Sequence, residues 1–290
     1  MEQRIAEELK KKIEEGNNLL LKREYRRARQ AFEDAIGLDP KSVTAYAGKA
    51  NALFGMEEFD KAMKTMEKAL GLEPDNQDLL DNYGAFLYNL TKYQEALGVA
   101  ERLVEMAPDN PDFLEKLGTV HEAMESYDKA LEAYDRSLAI DPANLEALKD
   151  KGELLERMKR LEEAAEVFRK AAEIAPAQTY FNNCLGQIYG RLDKYDDALA
   201  AFEASLAADP EDEYAANGRG AALAQLGRHD EALALFDDMI RKNPANAFSW
   251  DGKGFVLQKM GRTEEAKAAR DEAKKIWRAE EMNSPSTFNN

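Results

Sequence analysis

The chain has 290 residues, 44% hydrophobic and 33% charged, with 56 acidic against 40 basic side chains and a formal charge of −16. That surplus of carboxylates opposes nucleic-acid binding, which depends on cationic neutralisation of phosphates, and a single cysteine, Cys184, excludes an internal disulfide or a thiolate zinc cluster. No run of 18 apolar residues offers a membrane span and the opening MEQRIAEELKKKIEEG lacks the apolar core of a secretory signal, so a cytoplasmic protein without a cofactor is expected.

Residues 1–8 read as a two-turn extension of the first helix. From Leu9 onward the sequence repeats every 34 residues. Prolines fall at Pro40, Pro74, Pro108, Pro142, Pro176, Pro210 and Pro244, and the twentieth place of each unit holds an alanine, from Ala28 and Ala62 through to Ala232 and Ala266. The eighth place is glycine in seven units, from Gly16 to Gly254, with Ala50 in the other. Larger side chains recur at the seventeenth place (Tyr25, Phe59, Tyr93, Tyr127, Leu161, Tyr195) and often at the twenty-fourth (Phe32, Met66, Tyr134, Phe168, Phe202, Phe236). Within a unit two apolar stripes run at helical spacing, for example Leu185, Tyr189 and Leu192, then Ala198, Phe202 and Leu206. Each unit is therefore expected to be two antiparallel helices, with the glycine of the first facing the alanine of the second, and with proline ending the second helix.

This pattern resembles the tetratricopeptide repeat family over nearly the whole chain. The resemblance implies an all-α, right-handed superhelical α-solenoid of eight 34-residue helix-turn-helix repeats, from 9–42 to 247–280. Because neither helix of a unit can bury its apolar face alone, the units are expected to stack as one domain over residues 1–282. Arg270 and Arg278, standing where inner units carry a large apolar residue and proline, mark the last unit as a cap. The polar tail 283–290 is expected to be disordered.

The resemblance also implies that places 2, 5, 9, 12 and 13 of each unit line a concave peptide-binding groove. The first two units offer a mostly apolar mouth around Leu20, Leu21 and Phe54. The next three offer Asp78, Asp81, Asp112, Glu115, Glu122, Glu146, Glu153 and Glu156 against Lys149 and Arg157. That acidic middle is either a solvated charged face or a seat for a Lys/Arg-rich segment. The last three units offer aromatic rings and amides: Tyr180, Tyr214 and Phe248 recur at the second place, with Asn183, Asn217 and Asp251 at the fifth and Gln187 at the ninth. Rings can anchor a peptide and amides can bond its backbone, so this is the preferred binding region, although a ring at the second place can also pack on the preceding unit. Some family members clamp a C-terminal carboxylate. The best register here offers Asn51, Asn82 and Lys116 as groove residues, but Ala47 and Asp112 stand where the clamp requires cations, so that specificity is not expected.

Catalysis finds little material. Gly218-Arg219-Gly220 and Gly252-Lys253-Gly254 complete no phosphate loop, Cys184 has no histidine near it in its repeat, and His121 and His229 share no motif. The expected function is a non-enzymatic scaffold that binds a protein or peptide segment, with no nucleic acid and no membrane as partner. The alternatives are a self-assembling structural protein, a homo-oligomer joined through the apolar mouth or through Ile276 and Trp277, and a regulatory subunit or designed repeat scaffold without a natural ligand.

Overall fold

A computed structural model describes residues 2–283, and the expectation about the tail falls outside them except for Asn283, which ends the last helix. Sixteen α-helices and no strand occur among the described residues. The chain divides into two compact units, Met1–Pro142 and Ala143–Asn290, parting at one of the repeating prolines. The first unit holds α1 (Glu2–Leu21), α2 (Tyr25–Leu38), α3 (Val43–Gly55), α4 (Phe59–Leu72), α5 (Gln77–Asn89), α6 (Tyr93–Met106), α7 (Pro111–Ala123) and α8 (Tyr127–Ile140). The second holds α9 (Leu145–Arg157), α10 (Leu161–Ile174), α11 (Thr179–Arg191), α12 (Tyr195–Ala208), α13 (Glu213–Gln225), α14 (His229–Lys242), α15 (Ala247–Lys259) and α16 (Thr263–Asn283). Odd and even helices are the first and second rods of successive repeats, and within each unit consecutive helices pack on one another.

Local chemistry sets where each helix begins and ends. The second rods stop two residues short of each proline, as at Leu38 before Pro40, because proline disfavours helical backbone in the residue before it. The following first rod is opened by a side-chain cap two residues after the proline: Ser42, Asn76, Asn110, Asn144, Asp212 and Asn246 each accept a backbone N–H of their helix's first turn. Each first rod ends in a left-handed residue at the fifteenth place of its repeat: Arg23, Glu57, Thr91, Glu125, Lys159, Asp193, Gly227 and Gly261. The N–H of the next residue reaches back five positions, as from Lys92 to the Leu87 carbonyl at 2.9 Å, a helix-ending geometry that normally favours glycine at the left-handed position. Only two of the eight are glycine.

The twentieth-place alanines are buried, and in the last repeat the expected meeting of glycine and alanine is direct, with the Ala266 carbonyl oxygen 3.1 Å from where a Cβ on Gly254 would be. In five repeats the atoms nearest the eighth-place glycine belong to the ring at the twenty-fourth place. The Phe32 Cζ stands 2.6 Å from where a Cβ on Gly16 would be, and Tyr134, Phe168, Phe202 and Phe236 lie equally close to Gly118, Gly152, Gly186 and Gly220. One helical turn beyond the alanine, the ring reaches across and lies against bare backbone, which a methyl group would occupy. In three places the next repeat adds a second glycine against the same ring: Gly48 against Phe32, Gly218 against Phe202 and Gly252 against Phe236. The last repeat has no ring to seat, and the aliphatic stem of Arg270 lies against Gly254 instead, with Cγ 2.7 Å from the Cβ position.

Candidate functional site

The first rods α11, α13 and α15 turn a row of side chains into a cleft of about 670 Å³. Its lining includes Gln187, Tyr214, Asn217 and Phe248 of the predicted binding region, together with Gln225 and Phe255 from later turns of α13 and α15. The cleft exists because this stretch of the repeat is built small: Gly186, Gly190, Gly218, Ala221 and Ala222 line it beside the rings. Tyr214 is 53% exposed and Phe248 67% exposed, large apolar surfaces that the chain itself leaves uncovered. The Tyr214 ring stands edge-on to Phe202 of α12 at 6.5 Å, and the Phe248 ring edge-on to Trp277 of α16 at 5.8 Å. Burial raises the Tyr214 phenol above its ordinary pKa, and the neighbouring Cys184, Glu156 and Asp212 push the same way. Tyr214 is therefore a neutral hydroxyl over the physiological range and can donate a hydrogen bond.

Amides supply the polar part of this cleft. The Asn217 Nδ2 donates to the Glu213 carbonyl at 2.7 Å, and its Oδ1 accepts nothing within the chain. Glu213 is held by Asn246, whose Nδ2 donates to its carboxylate at 2.6 Å. Neither Glu213 nor Asn246 stands at a groove place of the repeat, although Asn246 carries a visible signal, since it lies two residues after Pro244 as a helix cap.

Three residues expected in the same region stand outside the lining. Tyr180 donates its hydroxyl to Glu153 Oε1 at 2.6 Å, and its ring lies 6.3 Å from Phe168 of the preceding repeat, which is the packing role open to a second-place ring. Asn183 is turned to Asp212, donating to Oδ2 at 2.7 Å. Asp251 faces Arg270 at 3.9 Å. In the first unit Asn82 and Lys116 line a separate cleft of about 210 Å³ between α5, α6 and α7, whereas Asn51 lies outside it. Lys116 is bound to Asp81 at 2.5 Å and Asn82 donates to the Asp78 carbonyl, so neither is held in reserve for a carboxylate.

The acidic middle is less negative than its carboxylates suggest. Lys116 pairs with Asp81, Lys149 with Glu146 and Arg191 with Glu156. Arg191 comes from the next repeat and Lys116 from beside the groove places, so a tally of the acidic stretch alone overlooks both. The apolar mouth also differs from expectation. Leu21 is 83% exposed, but Phe54 is stacked on Phe86 with ring centroids 4.2 Å apart and packs against the core. Phe54 is drawn inward by ring contacts with Phe59 and Phe86.

Nucleophilic chemistry is poorly served. Burial pushes the Cys184 thiol up to about 11, against a lowering hydrogen bond with Tyr180, so it is protonated at neutral pH. His121 is buried, its Nδ1 has no partner, and burial followed by the charge of Lys129 lowers its pKa. Among the described residues no group of three His, Cys, Asp or Glu side chains is placed to hold a metal ion, and no helix is long and apolar enough to cross a membrane.

Among solved structures, the chain is similar to PilF of Pseudomonas aeruginosa, at 21% identity and a TM-score of 0.59 over 73% of this chain and 96% of that one. It is similar to PilW, described as a type IV pilus biogenesis factor, at 22% identity and a TM-score of 0.61 over 71% of this chain and 96% of that one. A tetratricopeptide repeat protein from Parabacteroides merdae aligns at 20% identity and a TM-score of 0.55 over 81% of this chain and 93% of that one. Likeness at these identities concerns the fold alone. No curated protein matches the sequence. A sequence profile described as tetratricopeptide repeat matches residues 87–144, 115–179 and 185–247, more than half of the chain, and a second profile of the same description matches 19–81. With the helix pairs, the buried alanines and the seated rings repeating at the same interval, the chain belongs to the tetratricopeptide repeat family.

Proposed function

We propose that the protein is a non-catalytic scaffold that binds an extended or helical segment of a partner protein, and that the cleft between α11, α13 and α15 is its principal seat. One observation carries the reading: Tyr214 and Phe248, two large rings of successive repeats, stand 53% and 67% exposed at one cleft. Apolar surface of this kind, rimmed by amides, gains free energy when a partner covers it, and rings in such pockets supply a disproportionate share of binding energy. The side-chain amides of Asn217 and Gln187 in the lining suit a peptide backbone, which offers N–H and carbonyl groups at regular spacing. The segment this cleft favours carries aromatic or aliphatic side chains; a basic stretch has a weaker claim, because carboxylates of the acidic middle already hold Lys149 and Arg191.

The test is selection of binding peptides from a displayed library, followed by titration of the selected peptides against the wild-type chain and the double variant Tyr214→Ser, Phe248→Ser. Loss of two such anchors lowers affinity at least tenfold, a change of about 1.4 kcal/mol or more, with helical circular dichroism unchanged. Equal affinity for the variant refutes the site. Self-assembly is the second reading, favoured by Leu21, which is 83% exposed at the end of α1; a sedimentation coefficient independent of concentration removes it.

A further inference from the structure

The repeat frame has one vacancy, and it is a cavity. In five repeats the eighth-place glycine receives a ring from the twenty-fourth place, with ring carbons 2.4–2.6 Å from where a Cβ would stand. In the second repeat Met66 stands at that place and is fully buried. The third repeat keeps the glycine, Gly84, but has Ala100 where the ring belongs. The nearest side chain to a Cβ on Gly84 is Val99, at 3.3 Å, and no ring approaches it. The space left is the cleft of about 210 Å³ whose floor is Gly84, Ala96, Ala100, Leu103 and Val120. An apolar cavity of roughly 150 Å³ suffices to hold benzene in another protein, so a ring fits here with room for its attachment.

We infer that this vacancy is a receptor for an aromatic side chain of a partner peptide, a phenyl or p-hydroxyphenyl ring that lies against Gly84 as the chain's own rings lie against the other glycines. Three features fix the chemistry of the occupant. The floor is apolar and carries no charge to meet a cationic or anionic side chain. The one lysine at the mouth, Lys116, is bound to Asp81 at 2.5 Å. The mouth itself is formed by Asp81, Ala85, Tyr88 and Asn89 of α5 and by Glu115 and Thr119 of α7. Both helices are first rods of this unit, so a ring enters between first rods. The site is independent of Tyr214 and Phe248, and failure of either test leaves the other standing.

The test uses the full chain and the methyl NMR signals of Val99, Leu103 and Val120, titrated with toluene, with acetyl-Gly-Phe-Gly-amide and with acetyl-Gly-Ala-Gly-amide. Toluene and the phenylalanine peptide shift these methyls saturably and the alanine peptide does not. Ala100→Phe restores the missing ring and weakens both ring ligands at least tenfold while raising or preserving the melting temperature, since it fills a void. Ala100→Met, which copies Met66 of the preceding repeat, does the same if the phenylalanine variant does not fold. Methyls unmoved by either ring ligand, or equal binding by the filled variants, overturn the inference. Binding of toluene without the phenylalanine peptide overturns the assignment to a side chain.

Discussion

The ring of Phe202 occupies the space that a side chain on Gly218 would need: its Cζ lies 2.3 Å from the position of that Cβ. The same ring also meets Gly186, with Cζ 2.6 Å from that Cβ position, so two glycines depend on one ring position. Gly218→Ala is therefore expected to cost about 1–3 kcal/mol by overpacking, despite the better helix propensity of alanine. Gly98 in α6 is the control, with nothing within 4 Å of its Cβ position. Gly98→Ala gains about 0.5–1 kcal/mol from reduced backbone entropy. Denaturant titration of the two variants checks the pair, and the same sign for both would contradict the ring-on-glycine geometry.

Thr91, two residues after the end of α5, has φ 57°, in the left-handed region, where a β-branched residue is least comfortable. Gly227 and Gly261 hold the equivalent place with φ 77° in the last two repeats. A left-handed non-glycine residue costs about 1–2 kcal/mol, partly offset by the entropy glycine loses on folding, about 0.5–1 kcal/mol. Thr91→Gly is expected to stabilise the protein by up to about 1 kcal/mol, read as a higher calorimetric midpoint. Destabilisation would mean that Thr91 is not under backbone strain.

Asp212 joins two repeats. It caps α13, with Oδ1 accepting from Ala215 N–H at 3.0 Å, and Oδ2 accepts from Asn183 of α11 at 2.7 Å. Burial pushes its carboxyl up, but the hydrogen bonds from Ala215, Asn183, Thr179 and Tyr214 together outweigh burial and hold it below its ordinary value of 3.8. A carboxyl depressed in the folded state stabilises the fold above its unfolded pKa, and that stability is lost as pH falls through the folded one. Asp212→Ala is thus expected to cost about 1–2 kcal/mol at pH 7, with the gap to wild type steady down to about pH 4 and narrowing below it. A gap unchanged down to about pH 2.5 would rule out the carboxylate as its source.

Much of the architecture is legible in one dimension. The interval between prolines, with one buried alanine in every interval, counts the helix pairs and places their turns, because proline and small residues act through local backbone and local volume. The caps at Ser42, Asn76, Asn110 and Asn144 are equally readable two residues after each proline. The left-handed turns are not: six of eight lack the glycine that would mark them, since helix packing on both sides holds the strained residue in place.

For the binding face, the family resemblance implies one row for Gln187, Tyr214, Asn217 and Phe248, and all four line one cleft. It cannot say that Tyr180 spends its hydroxyl on Glu153, that Asn183 turns to Asp212, or that Arg191 neutralises Glu156. A helical repeat specifies which face a residue occupies, through a rotation per residue that depends on nothing distant. Which gap a side chain fills, and whether its polar atoms are already taken, depends on ångström distances between rods. Those distances bring rings nearest to five of the eighth-place glycines, and in the third repeat, with Ala100 in the ring's place, they leave Val99 as the nearest side chain to Gly84 beside a cleft.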